Sequence, residues 1–516
     1  GGIYCQFGSD PFINNVLLFE NEAVQGGGIY LNNENDPKIH NTILSNNTAT
    51  MVGGIFCFIS SPTLNQVTLT GNLGISDLGS FYASANSNPT IINSIFNNNG
   101  PREFFFNPNG TPSSINISYS NIEGGQDSIV INDNGTVIWG EGNIDLDPMF
   151  VDSENGNYHL LASSQCINGG HPDSTDIDGS RADMGAYYYH NEYSGPTWYI
   201  TEGGNDTTAT GASSDPFRSI QAGINFSSAG DSVTMAAGTY VENINFRGRN
   251  IKVVGEDTET TIVDGNQDDV VFSIDGSTAA TLKGMTIQNG AAEYGGGISC
   301  VGATVALKNL KIANNTAYAG GGVYGSGANL ALDNVTIQGN HSDWRGGGLF
   351  AAQGADESNN ISIANSIIES NSAVQHAGGV YLTGADMDSM THTISNSVFR
   401  SNSSPYYSGL VIYTGTFLVE DCVFELNQAT NGFAAAGGFS INTTGTVSRT
   451  RIVNNTATNE VGGFLVSSIS DVNFDRCTFA NNVPGPGAAL AVENYSTITV
   501  SNSIFWDNGN QPLAIT

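Results

Sequence analysis

Five short segments, EYGGG, AYAGGG, DWRGGG, QHAGG and PYYSG, put Tyr294, Tyr318, Trp344, His376, Tyr406 and Tyr407 just ahead of a glycine or glycine run. Aromatic faces stack on sugar rings or apolar ligands, and Asp343 and Arg345, on either side of Trp344, could orient a ligand's hydroxyls. The same rings could instead stack on one another and shield turn backbone. A second set lies in HPDSTDIDGSRAD, where Asp173, Asp176, Asp178 and Asp183 crowd a glycine-containing loop. Oxygen-rich loops of this kind hold Ca²⁺, although the spacing is not that of an EF-hand; the alternative is that these carboxylates cap turns and pair with Arg181. A third set is basic, Arg247, Arg249 and Lys252 in RGRNIK, which suits either work on an acidic substrate or a surface strand. Asp268 and Asp269 are adjacent, so in a strand they would point to opposite faces. A GxSxG nucleophile elbow is absent from the sequence.

What positions these residues is a repeat. An aliphatic or Phe residue, two further residues and then Asn recur as Leu18/Asn21, Leu44/Asn47, Leu69/Asn72 and Phe96/Asn99. The pattern returns as Ile312/Asn315, Ile337/Asn340, Ile368/Asn371, Phe399/Asn402, Phe424/Asn427, Ile452/Asn455, Phe479/Asn482 and Phe505/Asn508, with steps of 25 to 31 residues inside each series. Glycine pairs and triplets keep the same period, as at Gly295–Gly297, Gly320–Gly322 and Gly346–Gly348. A period near 26 accommodates three short strands and three turns, and runs such as LKNLKIANN and STITVSNSIFWDN alternate apolar and polar residues as strands do. Coils stacked about 4.8 Å apart bring equal positions into longitudinal ladders. The asparagines are then expected to adopt left-handed turn conformations and to bond along the axis through their amides, and the glycines to permit turns that a Cβ would obstruct. The aromatic set is expected to form one stripe.

Composition narrows the function classes. Sixty-four glycines and 39% hydrophobic residues fit a turn-rich folded chain, and 48 acidic against 15 basic residues give a net charge of −33. Nucleic acid and anionic membrane surfaces are disfavoured as partners, because binding them takes clustered Lys and Arg. Such a charge suits a soluble protein outside the cytoplasm or one that collects divalent cations. No apolar run reaches membrane-spanning length, so no membrane insertion is expected of these residues. The opening GGIY recurs as GGGIY at 26–30 and GGIF at 53–56, so the chain is expected to begin inside a repeat. Cys5 and Cys57 occupy equivalent places two coils apart, as do Cys422 and Cys477, which separates each pair by roughly 10 Å, beyond disulfide reach. Buried free thiols are expected, and they say nothing about redox compartment.

The paired GGGIY and FxxN motifs resemble the repeat of chlamydial polymorphic outer-membrane proteins and, more broadly, right-handed parallel β-helix proteins of the pectin-lyase-like class. That resemblance covers most of the chain and implies an all-β solenoid. It implies less about function, since the class includes lyases, hydrolases, adhesins and passive stalks. A lyase of this class uses an Arg or Lys base and commonly Ca²⁺, and the Gly-His-Gly and paired-Asp signatures of the pectin hydrolases are missing here.

Residues 145–190, ending in RADMGAYYYH, resemble the closing segment of β-helical regions in large bacterial surface proteins, and residues 197–245 look like the start of a fresh β-helix. There Asp215 is expected to cap a short amphipathic helix, with Pro216 at its first position and Phe217, Ile220 and Ile224 on one face, covering the first coil. NSIFNNNGP at 93–101 matches NSIFWDNGN at 502–510, which points to tandem units and to a second closing segment beyond Thr516. The sequence therefore predicts coils over 1–144, a closing segment and linker over 145–196, and a second β-helix over 197–516. The expected role is a secreted or cell-surface adhesin, carbohydrate-binding stalk or spacer that requires no cofactor other than, at most, Ca²⁺. Its partner would be a polysaccharide or surface glycan, and cut ends would favour end-to-end stacking. A polysaccharide lyase of the pectate-lyase-like class is the alternative.

Overall fold

Strands in this chain are short because a positive-φ residue interrupts the backbone every few positions. In Thr304–Ala313 and Asn329–Gln338, apolar Val305, Leu307, Leu330 and Leu332 face inward while Thr304, Lys308 and Asp333 face out. The computed structural model describes all residues except 75–77, 101, 278, 353–358, 385–390, 484–487, 510–512 and 516, so the last positions of the two matched NSIF segments lie outside the described residues. The chain forms two compact units, residues 1–194 with 205–210, and residues 195–204 with 211–516.

In the first unit the coils add strands to three parallel sheets. Ile3–Gln6, Ile29–Asn32, Ile55–Phe58 and Phe81–Ser84 pair in sequence without slippage, so that Cys5, Leu31 and Cys57 stack. Residues 145–190 break this pattern. Phe150–Asp152 pairs antiparallel with Asn157–Leu160, and the following chain returns along the outside of the coils. In RADMGAYYYH the Gly185 amide donates to the Asn93 carbonyl at 2.8 Å and the Ala186 amide to Thr68 Oγ1 at 3.0 Å.

The second unit has the same plan, with parallel sheets of twenty, eleven and seven strands among the described residues. From Asn365 onward the longest strand of each coil is broken at its left-handed bend residue into two shorter ones, as in Ile361–Ala364 and Ile367–Glu369. A helix, Ile220–Phe226, precedes the regular coils, and its cap is Ser219, whose Oγ accepts from the Ala222 amide at 3.4 Å. The sequence placed the cap at Asp215 instead. The reason is Phe217, which bridges Ile200 in extended conformation and forces the helix to start later. Phe217, Ile220 and Ile224 are all buried, so the apolar face is as anticipated. Glu242 accepts from the Ile220 and Gln221 amides at 2.8 and 3.1 Å, placing a carboxylate at the helix N-terminus, where the dipole favours it.

Every asparagine of the repeat is buried except Asn21 in the first coil. The Asn371 backbone N–H and Nδ2 donate to Asn402 Oδ1 at 3.1 and 3.0 Å, and Nδ2 also donates to the Ile337 carbonyl at 2.9 Å. The left-handed residue is the one before it, Ser370 in this coil and Asn314, Gly339 or Ser401 in others, not the ladder Asn itself. An Asn in αL would turn its amide away from the axis; the preceding position turns the chain and leaves the amide free to stack. In the first unit the ladder ends at Asn99, whose Nδ2 donates to Glu103 Oε2 at 3.0 Å, so a carboxyl stands in for the next amide. The glycine runs divide their labour. Gly346 has φ +66°, whereas a Cβ on Gly347 would strike the Ser372 carbonyl of the next coil.

All six cysteines are free and buried. Cys5, Cys57 and Cys300 sit in core positions of strands. Cys422 and Cys477 take places in a turn ladder otherwise made by hydroxyls; the Cys422 amide donates to Thr450 Oγ1 at 3.3 Å.

Candidate functional site

The aromatic residues ahead of the glycines meet a second wall. Each glycine run is followed by a strand whose second residue faces outward, and register stacks Ser299, Tyr324, Phe350, Tyr381 and Val411 in one column. The glycines bend the chain sharply between the two walls, and the resulting groove is filled by a satellite apolar cluster that includes Phe350, Tyr381, Tyr407 and Val411, with Tyr324, Trp344 and Tyr406 packed against it.

The expected single stripe is in fact two files. Tyr294, Ala319, Arg345 and His376 occupy one register position, while Tyr318 and Trp344 stand one residue earlier and stack at 5.6 Å with an interplanar angle of 9°. The cause is a one-residue difference in spacing to the left-handed residue that opens each turn: Tyr294 adjoins Gly295 and His376 adjoins Ala377, but Tyr318 and Trp344 are each separated from Gly320 and Gly346 by one residue. Tyr294 and Tyr318 are 41% and 46% exposed, so in the early coils part of each ring is open to solvent. Tyr406 stacks on His376 at 5.0 Å, whereas Tyr407, buried to 5% exposure, turns into the groove and meets Tyr413 edge-on at 6.5 Å.

Arg345 occupies the middle. Its guanidinium carbon lies 4.3 Å from the Trp344 ring centre and 5.1 Å from that of Tyr381, and Nη1 donates to the Tyr381 hydroxyl at 2.8 Å. Its Nε is buried without a hydrogen-bond partner, as is Nδ1 of His376. Burial and then the neighbouring Arg345 charge hold the His376 imidazole down at about 4, so it is neutral at physiological pH. Burial pushes the Tyr381 hydroxyl up to about 12 and the Tyr407 hydroxyl higher. Asp343 does not join Arg345; it faces outward with Oδ1 3.3 Å from His341 Nε2.

The sequence reading missed Tyr324, Phe350, Tyr381 and Tyr413. The first three had a signal, the aromatic that follows the glycines in GGVY, GGLF and GGVY. The first unit has the same feature, where Tyr4, Tyr30, Phe56 and Tyr82 stack at 5.2, 5.0 and 4.9 Å.

The acidic loop is occupied by its own backbone. Asp183 accepts from the Asn168 and Tyr189 amides at 2.6 and 2.7 Å, Asp176 from the Asp183 amide at 2.9 Å and from Gln66 Nε2 at 2.6 Å, and Asp178 from Ser180. Burial raises Asp183 to about 8 and Asp176 to about 6. Asp173 stands apart with its amide on His171 Nδ1. Among the described residues no three His, Cys, Asp or Glu side chains converge as metal ligands. Arg181 pairs with none of these carboxylates; its Nε donates to the Gly170 carbonyl, and its guanidinium lies 5.9 Å from the Tyr119 ring centre.

Two of the three basic residues fasten the helix Ile220–Phe226. Arg247 Nη1 donates to Asn225 Oδ1 at 2.9 Å and Arg249 donates to the Ser227 carbonyl, both at the helix C-terminus, while Lys252 is exposed. Asp268 and Asp269 lie in a turn, not a strand, and Asp268 accepts from Asn266 Nδ2 at 3.0 Å.

Stacked parallel coils with an aromatic groove along their axis define a parallel β-solenoid. The family described as right handed beta helix region matches residues 258–424 and 354–516, half of the chain together, and the chain belongs to it. Residues 202–247 match a family described as a protein of unknown function, DUF1565. No curated protein matches the chain. Among solved structures, the pectate lyase Pel9A aligns at 13% identity and TM-score 0.32 over 61% of this chain and 80% of its own. The PL6 family alginate lyase AlyGC aligns at 10% identity and TM-score 0.26 over 97% and 73%. ORF18 of Geobacillus virus E2 aligns at 15% identity and TM-score 0.25 over 55% of each chain. Superpositions this loose transfer no residue role to this protein.

Proposed function

We propose that this chain belongs to a secreted or cell-surface adhesin or stalk that holds a polysaccharide along the groove of its second unit. The observation that carries the reading is the Tyr318–Trp344 stack with Arg345 laid over the Trp344 ring, beside the exposed face of Tyr294. The exposed part of this aromatic file suits the apolar faces of sugars lying along it, and a guanidinium fixed by Tyr381 offers directed donors to their oxygens. The test is retention on a panel of immobilised neutral and acidic polysaccharides. Trp344→Ala should weaken binding about two- to tenfold. Absence of retention on every polymer would leave a spacer as the better account.

A second reading, β-elimination of a polysaccharide at the same groove, is favoured by His376, a neutral imidazole whose Nδ1 has no partner beside Arg345. Its readout is the absorbance of unsaturated product. Product that vanishes in Arg345→Ala and His376→Ala, and persists in an Arg247→Ala, Arg249→Ala pair, would make the protein a lyase.

A further inference from the structure

Lysine is scarce here: five in 516 residues. Four of them, Lys252, Lys283, Lys308 and Lys311, fall on three successive coils of the twenty-stranded sheet, with Lys283 and Lys308 in direct register. In a chain of net charge −33 this is the one place where lysines gather. Beside them runs a groove of about 610 Å³ whose lining includes Lys283 and Lys311, Glu256 and Glu259 of the loop one coil earlier, and Asn309 and Gln338.

The acidic wall is a loop held in place. Thr286 Oγ1 donates to the Thr258 carbonyl at 2.6 Å, the Glu256 amide to Thr261 Oγ1 at 3.0 Å, and Asp257 Oδ1 accepts from the Glu259 and Thr260 amides at 2.8 Å each. Asp257 is thus spent on the loop, whereas the carboxylates of Glu256 and Glu259 and the ammonium groups of Lys283 and Lys311 make no ion pair or hydrogen bond among the described residues. Opposite charges line the same groove without forming an ion pair with one another.

We propose that this groove binds a zwitterionic ligand of about dipeptide or disaccharide size, its carboxylate on Lys283 and Lys311 and its ammonium on Glu256 and Glu259. A ligand of one charge would satisfy one wall and be repelled by the other; a zwitterion satisfies both, and charge-assisted hydrogen bonds are the stronger kind. Asn309 and Gln338 add uncharged amides to the same lining. The shared chemistry is a free amine and a carboxylate on one small molecule, which a short peptide and an amino-sugar acid both offer.

The test is isothermal titration of the whole chain with glycylglycine, N-acetylglycylglycine and glycylglycinamide, and with a disaccharide carrying one free amine and one carboxylate beside its N-acetylated form. The expected result is that at least one zwitterion titrates and that blocking either of its charges weakens it about tenfold or more. The tighter of the two zwitterions names the source. Lys283→Met with Lys311→Met should erase the penalty for amidation, and Glu256→Gln with Glu259→Gln the penalty for acetylation; all four positions are at the surface, and unchanged melting curves verify folding. Blocked forms that bind as tightly as the zwitterions, equal binding by the wild type and the lysine pair, or no titration at millimolar concentration would each overturn the proposal.

Discussion

Glu103 shows how a single residue can contribute to the pH response of the first unit, as Asp176 and Asp183 also do. It is fully buried at the end of the first asparagine ladder, and burial raises its carboxyl from 4.5 to about 8. The folded state therefore keeps a proton that the unfolded chain loses near pH 4.5. Its contribution to stability is complete below that pH and declines as pH rises toward 8, by about 1.4 kcal/mol per unit. Glu103→Gln keeps an acceptor for Asn99 and cannot ionise, so urea midpoints at pH 5 and pH 8 should differ less in the variant than in the wild type. An equal decline in both would place the titration elsewhere. At the same scale, Tyr294, Tyr318, Trp344 and Arg345 were legible as a potential site because their spacing to glycine is local information. Their sorting into two files was not, because a one-residue offset changes which strand position a ring takes, and only the pairing register reveals it. The carboxylates of Asp176, Asp178 and Asp183 were legible but the amides that bind them were not, because a sequence displays carboxylates and hides the backbone around them.

Among the elements, the asparagine ladder is the one whose loss is most costly. In Asn371→Ala, the backbone N–H and Nδ2 of Asn340 lose their shared acceptor and the Ile337 carbonyl loses its donor, all in the buried interior. Unsatisfied buried groups of this kind cost about 3 kcal/mol together. Chemical denaturation of Asn371→Ala should show that loss, while Thr393→Ala on the exposed face should stay within about 0.5 kcal/mol. Strands and ladders were readable in advance because both repeat, and a repeat averages out local exceptions. The capping helix occurs once, and its start was misplaced because Phe217 is claimed by a bridge to Ile200 that no pattern in the sequence announces.

For the molecule as a whole, a net charge of −33 means that carboxylates repel one another across the surface, relieved locally by pairs such as Arg449 with Glu420 and Asp421. Raising NaCl from about 10 mM to about 500 mM shortens the screening length from about 30 Å to a few ångströms and should raise the melting temperature by several degrees. A flat response would mean that the acidic groups are too dispersed for repulsion to matter. The asparagine ladder has a further consequence at this scale. Each coil within the ladder offers the same two donors to the coil after it and the same acceptor to the coil before, so the joint between any two such coils is the same along this ladder. A coil within the ladder can be excised or copied without orphaning an amide, and tandem duplication or loss within the gene would then change the protein's reach by a fixed increment, making length a heritable variable.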